Sequence, residues 1–363
     1  MRLKTIVLSG AFALLSASFV AAQSQSQTQN YGNTQTKNYG NVSIGGRLGL
    51  TIPSFNGGGS YPLSQGFSST ERFGAAVFAD FKISKMFSIQ PMLEFAQEGA
   101  KRNGMQALVN TSEPSFAAND PYGAASQAAS VAASQGLLAQ YPALSAVPLP
   151  AGENIINVNA PAPDYLYADA NSTTKMNYLM LPVLAKFGWN FTHNSPWRIY
   201  FDVGPYIALL VSAHNTVKMN GNGGVYSDAN GGALVQPQVS LSPTLTSMLP
   251  SSMLSAVTTG LSQMQSQLQT SMSSEMSDEM TQYLSGTQNI KDQLHKLNWG
   301  LEGNVGIQYQ INRHKIFIEG GGNYGLMVIQ KSTGKDANGK SEYLNGKNHI
   351  GAGTVMIGYA YTL

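Results

Sequence analysis

Hydrophobic and polar residues alternate along Leu297 to Ile311, LNWGLEGNVGIQYQI. The odd positions are apolar, aromatic or glycine and the even positions are polar or glycine, which is the period of a β-strand with two unlike faces. A strand of this length, at roughly 3.3 Å per residue, suits a tilted crossing of an apolar slab of about 25 Å. A long strand in a soluble sandwich is the alternative, so the interpretation depends on how often the pattern recurs.

The same alternation recurs in seven other segments of the chain. They cover residues 42–52, 72–83, 87–98, 175–189, 197–212, 315–328 and 349–363. Long and short connections alternate between them, as they do in outer-membrane barrels. The pattern predicts an all-β membrane protein, an eight-stranded antiparallel up-and-down transmembrane β-barrel with periplasmic termini and short periplasmic turns. Pro91 cannot donate a hydrogen bond to a strand ladder, so it is predicted to form a local bulge.

Two long insertions, 104–174 and 214–294, are predicted to be partly helical and to lie on the extracellular side. In the first, Asp120 and Pro121 suit the cap and the first position of an Ala-rich helix that reaches about Gln140. A loop of this length is uncommon inside a compact soluble domain but can extend into solvent from a barrel.

The second insertion carries a stripe of large apolar residues at steps of three and four, which is the spacing of one face of an amphipathic helix. The stripe comprises Leu254, Val257, Leu261, Met264, Leu268 and Met272, and continues through Met276, Met280 and Leu284. This face has two interpretations. It packs on a neighbouring loop or on the mouth of its own barrel, or it docks a protein partner through an adaptable Met-rich surface.

Charged residues of the eight segments fall mainly on the faces predicted to point into the barrel. They are the basic residues Arg47, Arg72, Lys82, Lys186, Arg198 and Lys315 and the acidic residues Asp80, Glu94, Glu98, Asp202, Glu302 and Glu319. Because eight strands enclose a space that side chains just fill, we expect these charges to pair and to plug the lumen. Removing one partner leaves the other buried at a cost of roughly 3 to 5 kcal/mol, so Glu302→Ala is expected to lower the unfolding temperature in detergent.

Aromatic residues near the ends of the apolar faces are predicted to lie at the two membrane interfaces. They are Trp197, Trp299, Tyr309, Tyr324, Tyr359 and Tyr361. The composition is also typical of membrane barrels, with 11% charged residues, 42% hydrophobic residues, 38 Gly and 17 Tyr. No apolar run of about 18 residues follows the first 25 positions. Only a closed barrel would then leave no backbone group unpaired in lipid.

The N-terminus has the features of a secretory signal, with Arg2 and Lys4 before an apolar stretch that ends in small residues. We therefore predict a signal peptide at 1–22, a disordered periplasmic lead at 23–41, and the barrel with its insertions at 42–363. Removing two of the 21 basic residues leaves 19, equal to the 19 acidic residues, which argues against nucleic-acid binding. The absence of cysteine excludes disulfides, thiolate metal sites and a lipidated-cysteine anchor.

Three of the strand segments, together with the aromatic C-terminal strand, resemble a known family. The segments are YLMLPVLAKFGW at 178–189, FDVGPYIALLVSA at 201–213 and GLEGNVGIQYQI at 300–311. They resemble the small outer-membrane β-barrel proteins typical of Bacteroidetes, the group that includes the PorT-like proteins. The resemblance covers the strands but neither insertion. It implies a multi-pass barrel in the outer membrane of a Gram-negative bacterium, but it implies little about activity.

These observations predict a surface interaction or structural protein that acts through its external loops. The expected partners are the lipid bilayer, the barrel assembly machinery during insertion, and a protein at the external loops. A small porin or channel is the alternative, and an outer-membrane lipid-modifying enzyme is the third hypothesis.

Histidine is the residue type of this chain most suited to catalysis or metal binding. His214, His295 and His349 fall near the outer rim, whereas His193 and His314 fall in periplasmic turns. No spacing links them, and the sequence has no phosphate loop, zinc motif or nucleophile signature. We therefore predict no enzyme activity, no cofactor and no catalytic or metal site.

Overall fold

The structure is a computed structural model that describes residues 40–363 except 147, 149, 151, 193–194, 222, 336–340 and 344–345. The predicted signal peptide, and all of the predicted lead except its last two residues, lie outside the described residues. Among the described residues, no helix is both long enough and apolar enough to span a membrane.

Eight long strands form a closed antiparallel barrel. They are β1 Val42–Gly57, β2 Arg72–Lys82, β3 Phe87–Asn110, β4 Tyr165–Asn190, β5 Trp197–Met219, β6 Leu297–Ile311, β7 His314–Gly325 and β8 Asn348–Thr362. Each strand pairs with the strands before and after it in the chain, and β8 pairs with β1 to close the ring. The predicted up-and-down barrel is therefore confirmed.

The period-two pattern separates a lipid-facing surface from the lumen. In β6, Leu301 and Val305 are more than half exposed, whereas Glu302 between them is buried. The exposed apolar side chains of all eight strands form a continuous outer band, because every second residue of a strand points outward. The buried partners of these residues fill the inside of the barrel.

Four strands extend further than the sequence pattern predicts, and the first of them, β1, continues to Gly57 instead of ending at Ile52. β3 continues to Asn110, β4 begins at Tyr165 and β5 continues to Met219, so the predicted insertion boundaries at 104, 174 and 214 fall inside paired strands. These extensions form a tall wall on one side of the barrel mouth. The strand ladder of β3 and β4 contains one irregularity, between Ala107 and Val109.

The bulge predicted at Pro91 is wrong. Phe78 pairs with Met92 and Phe81 pairs with Ile89, which is the same register before and after the proline. The proline also keeps its partner Val183 on the other side. The strand accommodates the missing N–H donor without inserting a residue.

The described residues of the two insertions contain four helices. They are α1 Pro114–Ala117, α2 Pro121–Gln140, α3 Pro243–Met248 and α4 Ser251–Leu284. The Asp120 side chain caps α2 by accepting a hydrogen bond of 3.0 Å from the backbone N–H of Gly123. The N-cap residue and the C-terminal end predicted for this helix are thus confirmed.

Short elements complete the insertions and loops. They are the strands Ile156–Asn159, Val225–Tyr226, Gln238–Leu241, Gly286–Asn289, Gly334–Lys335 and Ser341–Glu342, and the 3₁₀ turns Pro62–Ser64, Pro142–Ala146 and Lys291–Gln293. The strand Ile156–Asn159 of the first insertion pairs with Gln238–Leu241 of the second. The two insertions therefore form one unit, which we call the cap and define as residues 111–164 and 220–285.

The cap has its own hydrophobic core, to which both insertions contribute. Leu137 of α2 and Leu245 of α3 are buried there, together with much of the apolar stripe of α4. In that stripe, Val257, Leu261 and Met272 are buried, and other members pack against the same core. A surface for docking a partner was one interpretation of this stripe, and it requires correction because the chain's own cap occupies that face.

The remaining members of the stripe follow the same pattern. Met264 and Leu268 are partly buried against the cap core, and Leu254 is half-buried. Met276, Met280 and Leu284 continue the buried face to the end of the helix. The helix thus stabilises the cap by the burial that its amphipathic pattern predicts.

Candidate functional site in the lumen and cap

One arginine lies at the centre of the barrel and contacts three glutamates. The Arg47 guanidinium on β1 donates to Glu94 on β3, to Glu302 on β6 at 2.6 Å and to Glu319 on β7 at 2.6 Å. Arg47 is only 3% exposed, and the three glutamates are buried with it. The planar fork of donors on arginine lets a single side chain join strands from opposite parts of the ring.

A second set of contacts extends from Glu319 towards the opposite wall. The Tyr200 hydroxyl donates to Glu319 at 2.6 Å, and the Lys186 ammonium lies 3.7 Å from the centre of the Tyr200 ring. Lys186 also donates to the side-chain oxygen of Gln90 at 3.2 Å. The lysine is therefore held by an aromatic face and an amide instead of an ion pair.

The Asn304 side-chain amide connects two carboxylates of the lumen, those of Asp202 and Glu302. Asn304 Nδ2 donates to Asp202 at 2.9 Å and to Glu302 at 3.1 Å. The second carboxylate oxygens of Asp202 and Glu302 have no hydrogen-bond partner. Acceptor oxygens thus outnumber the donors that reach them in this part of the lumen.

The predicted balance of six cations and six anions requires correction. The fully buried acidic side chains are Glu94, Glu98, Asp202, Glu302 and Glu319, whereas the fully buried basic members of the predicted set are Arg47 and Lys186. Within the predicted set, all of which the structure describes, ion pairs form only around Arg47 and between Lys315 and Asp80 at 3.9 Å. Arg47 alone contacts three glutamates, so the charges do not pair one to one.

The other predicted cations lie away from this cluster. Arg72 donates to the backbone oxygen of Thr174 at 3.3 Å, and Arg198 donates to that of Gly188 at 3.3 Å. Lys82 is exposed, because it lies at the last residue of β2 beside a short turn. These three residues line the rims of the barrel and are not part of the buried network.

Apolar layers enclose the charged layer on both sides. Towards the short turns lie Phe78, Met92, Leu184, Tyr200, Phe317 and Ala360. Towards the cap lies a larger group that includes Met176, Tyr178, Tyr206, Leu210, Leu294 and Ile350. Electrostatic interactions inside are strengthened because these layers restrict water.

Inward-facing glycines make room for the large aromatic rings, a feature that the sequence analysis did not identify. A Cβ atom added to Gly306 would collide with the ring of Tyr200, and one added to Gly358 would collide with that of Phe317. The glycines at inward positions of β6 and β8 were visible in the sequence. Because glycine fits either face of an alternating strand, the pattern did not indicate that these glycines face aromatic rings.

The predicted interface aromatics all point away from the lumen. Near the short turns, the rings of Trp197 and Tyr309 lie 4.7 Å apart. In the same region the hydroxyl of Tyr359 lies 2.7 Å from a ring nitrogen of His314, whose ring also packs against Tyr361.

At the cap end, Trp299 and Tyr324 are exposed on the outer surface. Tyr324 stacks on His349 with 6.0 Å between ring centres. Trp189 is an outward aromatic that was not among the predicted ones, and its ring stacks on that of Phe201 near the short turns with 5.9 Å between ring centres. Trp189 ends the segment 175–189, in which hydrophobic and polar residues alternate less regularly than in the other strands. The pattern therefore did not mark it as an interface residue.

The histidines that the structure describes are not gathered into one site. His214 is exposed on β5, the backbone of His295 donates to Ile329, and His349 lies 3.2 Å from the backbone oxygen of Gly325. His193 lies outside the described residues. Among the residues that the structure describes, no group of three or more His, Cys, Asp or Glu side chains is placed to hold a metal ion.

Comparison with known proteins identifies a matching family with the description "Outer membrane protein beta-barrel domain" over residues 21–330. This range contains the first seven barrel strands and both insertions. A search of curated proteins finds no matching relative.

Several solved structures are similar to this chain. Neisserial surface protein A is 8% identical, with 90% of this chain and 100% of that chain covered and a TM-score of 0.31. Ail, the attachment invasion locus protein of Yersinia pestis, is 8% identical, with 88% and 98% covered and a TM-score of 0.26. The outer membrane protein OprG from Pseudomonas aeruginosa is 8% identical, with 89% and 96% covered and a TM-score of 0.27.

Proposed function

Because the chain belongs to the outer membrane protein β-barrel domain family, we propose that it is a cell-surface interaction protein that acts through its cap. It is embedded in the lipid bilayer of the outer membrane as a β-barrel. The observation that carries the proposal is the division of the chain into a filled barrel and a separately cored cap. The barrel anchors the cap, and the cap presents the surface that contacts a partner.

The proposed orientation places the cap outside the cell and both termini in the periplasm. The backbone N–H of Gly40 donates to the backbone oxygen of Leu363 at 3.1 Å, so the described ends of the chain meet at the end with the short turns. Outer-membrane barrels typically have short periplasmic turns and long extracellular loops. Secretion through a signal peptide, insertion by the barrel assembly machinery and kinship with the PorT-like proteins belong to the same proposal.

The alternative of a small porin needs a continuous water-filled path. The lumen of an eight-stranded barrel is narrow, and here a charged layer lies between two apolar ones. No observation in the lumen favours conduction, and no cluster of side chains among the described residues favours catalysis. The cap is therefore the part of the molecule to which we assign the function.

The experiment compares strains that carry the whole protein, a cap-deleted barrel or neither. The deletion replaces 111–164 and 220–285 with short Gly-Ser turns, because wider deletions would cut the paired strands β3, β4 and β5. A heat-dependent shift on gels first shows that the deleted form still folds. Cell aggregation and growth under envelope stress are then measured.

A cap-deleted strain that behaves like the null strain supports the proposal. A cap-deleted strain that behaves like the wild type would contradict it, because the barrel alone would then be sufficient. The comparison uses the assay, cell aggregation or growth under envelope stress, in which the null strain differs from the wild type.

A further inference from the structure

The upper parts of β3, β4 and β5 form a wall, which we define as residues 97–110, 165–177 and 212–219, and its outer face continues the lipid-facing surface. The apolar band ends on this side at Phe95, Leu179 and Val211. Above it the outward positions are polar, and Asn177 pairs with Gln97 on one side and with Ser212 on the other. The same strands thus leave the apolar part of the bilayer and continue beside the lipid headgroups.

A β-bulge in β5 determines which residues of the wall point outward. Val211 is an extra residue between the pairs Tyr178–Leu210 and Asn177–Ser212. A bulge of this kind re-aims the side chains that follow it. Even-numbered residues of β5 below the bulge point into the lumen, whereas His214 and Lys218 above it are exposed on the outer face.

Basic side chains form the lowest charged level of this face. Lys101 of β3, Lys175 of β4 and His214 of β5 lie on three neighbouring strands, with Lys175 directly opposite His214. The Lys291 ammonium donates to the backbone oxygen of Val211 at 2.6 Å, so it lies at the edge of the apolar band. Among the residues that the structure describes, Lys101 and Lys175 form no ion pair. They can therefore bind an anion that comes from outside.

The height of these cations matches that of lipid phosphate groups. Lys175 lies four residues from Leu179, which is roughly 13 Å along a strand and about 10 Å along the membrane normal at a tilt of about 40°. The headgroup region of a leaflet extends about 5 to 8 Å beyond the hydrocarbon core. Because a lysine side chain is long and flexible, its ammonium can reach back to that region.

The charges outside the lumen are sorted by height. The cap contains no Lys or Arg, and each of its two segments carries four acidic residues. Anionic lipids attract basic residues only near the membrane surface, because the attraction falls off within a Debye length of about 8 Å. Basic residues at the base of the wall and none in the cap are therefore the distribution that an anionic leaflet favours.

Above the basic level, the outer face of the wall carries amide, carboxylate and aromatic side chains. Asn220 Nδ2 donates to Asp169 at 2.7 Å and to Asn103 at 3.3 Å. Further from the membrane, the rings of Tyr165 and Tyr167 lie on the same face with 6.5 Å between their centres. Side-chain amides and carboxylates bind hydroxyl groups, and tyrosine combines an apolar face with a polar hydroxyl. A sugar ring, which has C–H faces and hydroxyls, is complementary to both.

We propose that the outer face of the wall binds a phosphorylated glycolipid of the surrounding leaflet. The acyl chains lie against the apolar band, the phosphate groups contact Lys101, Lys175 and Lys291, and the sugars lie along the amides and tyrosines above. The order of the three levels on the wall is the order of the three parts of such a lipid. The proposal rests on the proposed orientation, which puts this face in the outer leaflet, but it needs no protein partner.

The test titrates lipid A, an acylated and diphosphorylated glucosamine disaccharide, into the whole refolded chain in nonionic detergent. Native mass spectrometry measures the bound fraction. The triple variant Lys101→Gln, Lys175→Gln, Lys291→Gln is expected to raise the Kd about 100-fold, because each lysine near an anionic lipid surface contributes about fivefold.

A matched triple variant controls for net charge. Lys82→Gln, Lys85→Gln and Arg313→Gln remove the same charge from exposed residues at the end with the short turns, and they are expected to leave the Kd unchanged. The heat-dependent gel shift shows that both triple variants fold. Equal losses of lipid A binding in the two variants, or no binding to the wild type, would overturn the proposal.

A second comparison tests the upper part of the face. The wild type is expected to bind lipid A that carries a core oligosaccharide more tightly than lipid A alone. Tyr165→Ser with Tyr167→Ser is expected to abolish this preference and to leave binding of lipid A unchanged. A preference that survives in the tyrosine variant would overturn the placement of the sugars.

These outcomes are separate from those that test the proposed function. Binding in detergent depends neither on the orientation in the cell nor on a partner of the cap. A failure to bind lipid A would therefore overturn the lipid site alone, and a cap-deleted strain that behaves like the wild type would overturn the proposed function alone.

Discussion

Three buried glutamates share one basic partner, Arg47, and this arrangement is the main residue-scale property of the barrel. An ion pair inside a protein is costly to break because the remaining partner stays buried and charged. Here the cost of losing the arginine differs from the cost of losing one glutamate. Loss of one glutamate leaves the arginine with two partners, whereas loss of the arginine leaves three carboxylates without a cation.

Arg47→Met is therefore expected to destabilise the barrel far more than Glu302→Gln. The arginine variant should lose at least the roughly 3 to 5 kcal/mol of a broken buried pair, and the glutamine variant should lose less because it keeps a hydrogen-bonding side chain. Urea unfolding in detergent, followed by the heat-dependent gel shift, measures both.

Lys82→Met is the matched control for that comparison. Lys82 was predicted to belong to the lumen network but is exposed, so its replacement should change stability by less than about 0.5 kcal/mol. Equal losses for Lys82→Met and Arg47→Met would contradict the central role of the arginine. The sequence-based expectation that Glu302→Ala lowers the unfolding temperature remains a prediction in the same assay.

At the scale of the strand, glycine positions determine which large side chains can point inward. β6 alternates outward apolar residues with inward polar ones, and its inward Gly306 faces the ring of Tyr200. An added side chain there has no room, since the backbone oxygen of Ile318 is also within 2.9 Å of the Cβ position. The glycine therefore allows Tyr200 to reach Glu319.

Gly306→Val is expected to prevent stable folding of the barrel, because overpacking costs typically about 1 to 3 kcal/mol and here displaces a network residue as well. Gly303→Val is the matched control on the same strand. The Cβ position of Gly303 has no atom closer than 3.5 Å. A folded, heat-shifted band is expected from Gly303→Val and not from Gly306→Val, and the same band from both would contradict this interpretation.

The elements that the sequence predicts well are those with a strict physical period. Strands that face lipid on one side must alternate, and the α4 stripe must repeat every three to four residues, so both were recognisable. The upper part of β3 packs against the cap core through Leu108 and Val109, so it need not alternate as a lipid-facing strand does. That is why the sequence placed its end too early.

Contacts between distant segments were not predictable in the same way. The pattern shows which residues point inward but not the strand registers that bring Glu94, Glu302 and Glu319 to one arginine. The pairing of Ile156–Asn159 with Gln238–Leu241 likewise joins two insertions that no local signal connects. Both features depend on the closed barrel, so they follow from the whole molecule and not from its parts.

At the scale of the whole molecule, the described ends and the short turns lie at one end of the barrel and the cap lies at the other. The chain has no cysteine, so a single introduced thiol reports one position. Ser262→Cys on α4 is expected to react with a membrane-impermeant maleimide on intact cells. Lys85→Cys, in the turn between β2 and β3, is expected to react only after the outer membrane is opened, and the reverse pattern would contradict the proposed orientation.

A lumen filled with side chains would not conduct, and this assigns the function to the cap and not to transport. Conductance of the refolded chain in a planar bilayer tests it most directly, with the heat-dependent gel shift as proof that the barrel has formed. Because side chains fill the lumen, the folded protein is expected to give no discrete current steps, like a bilayer without protein. Reproducible steps from folded protein would contradict the claim and would make the small-porin alternative the better account.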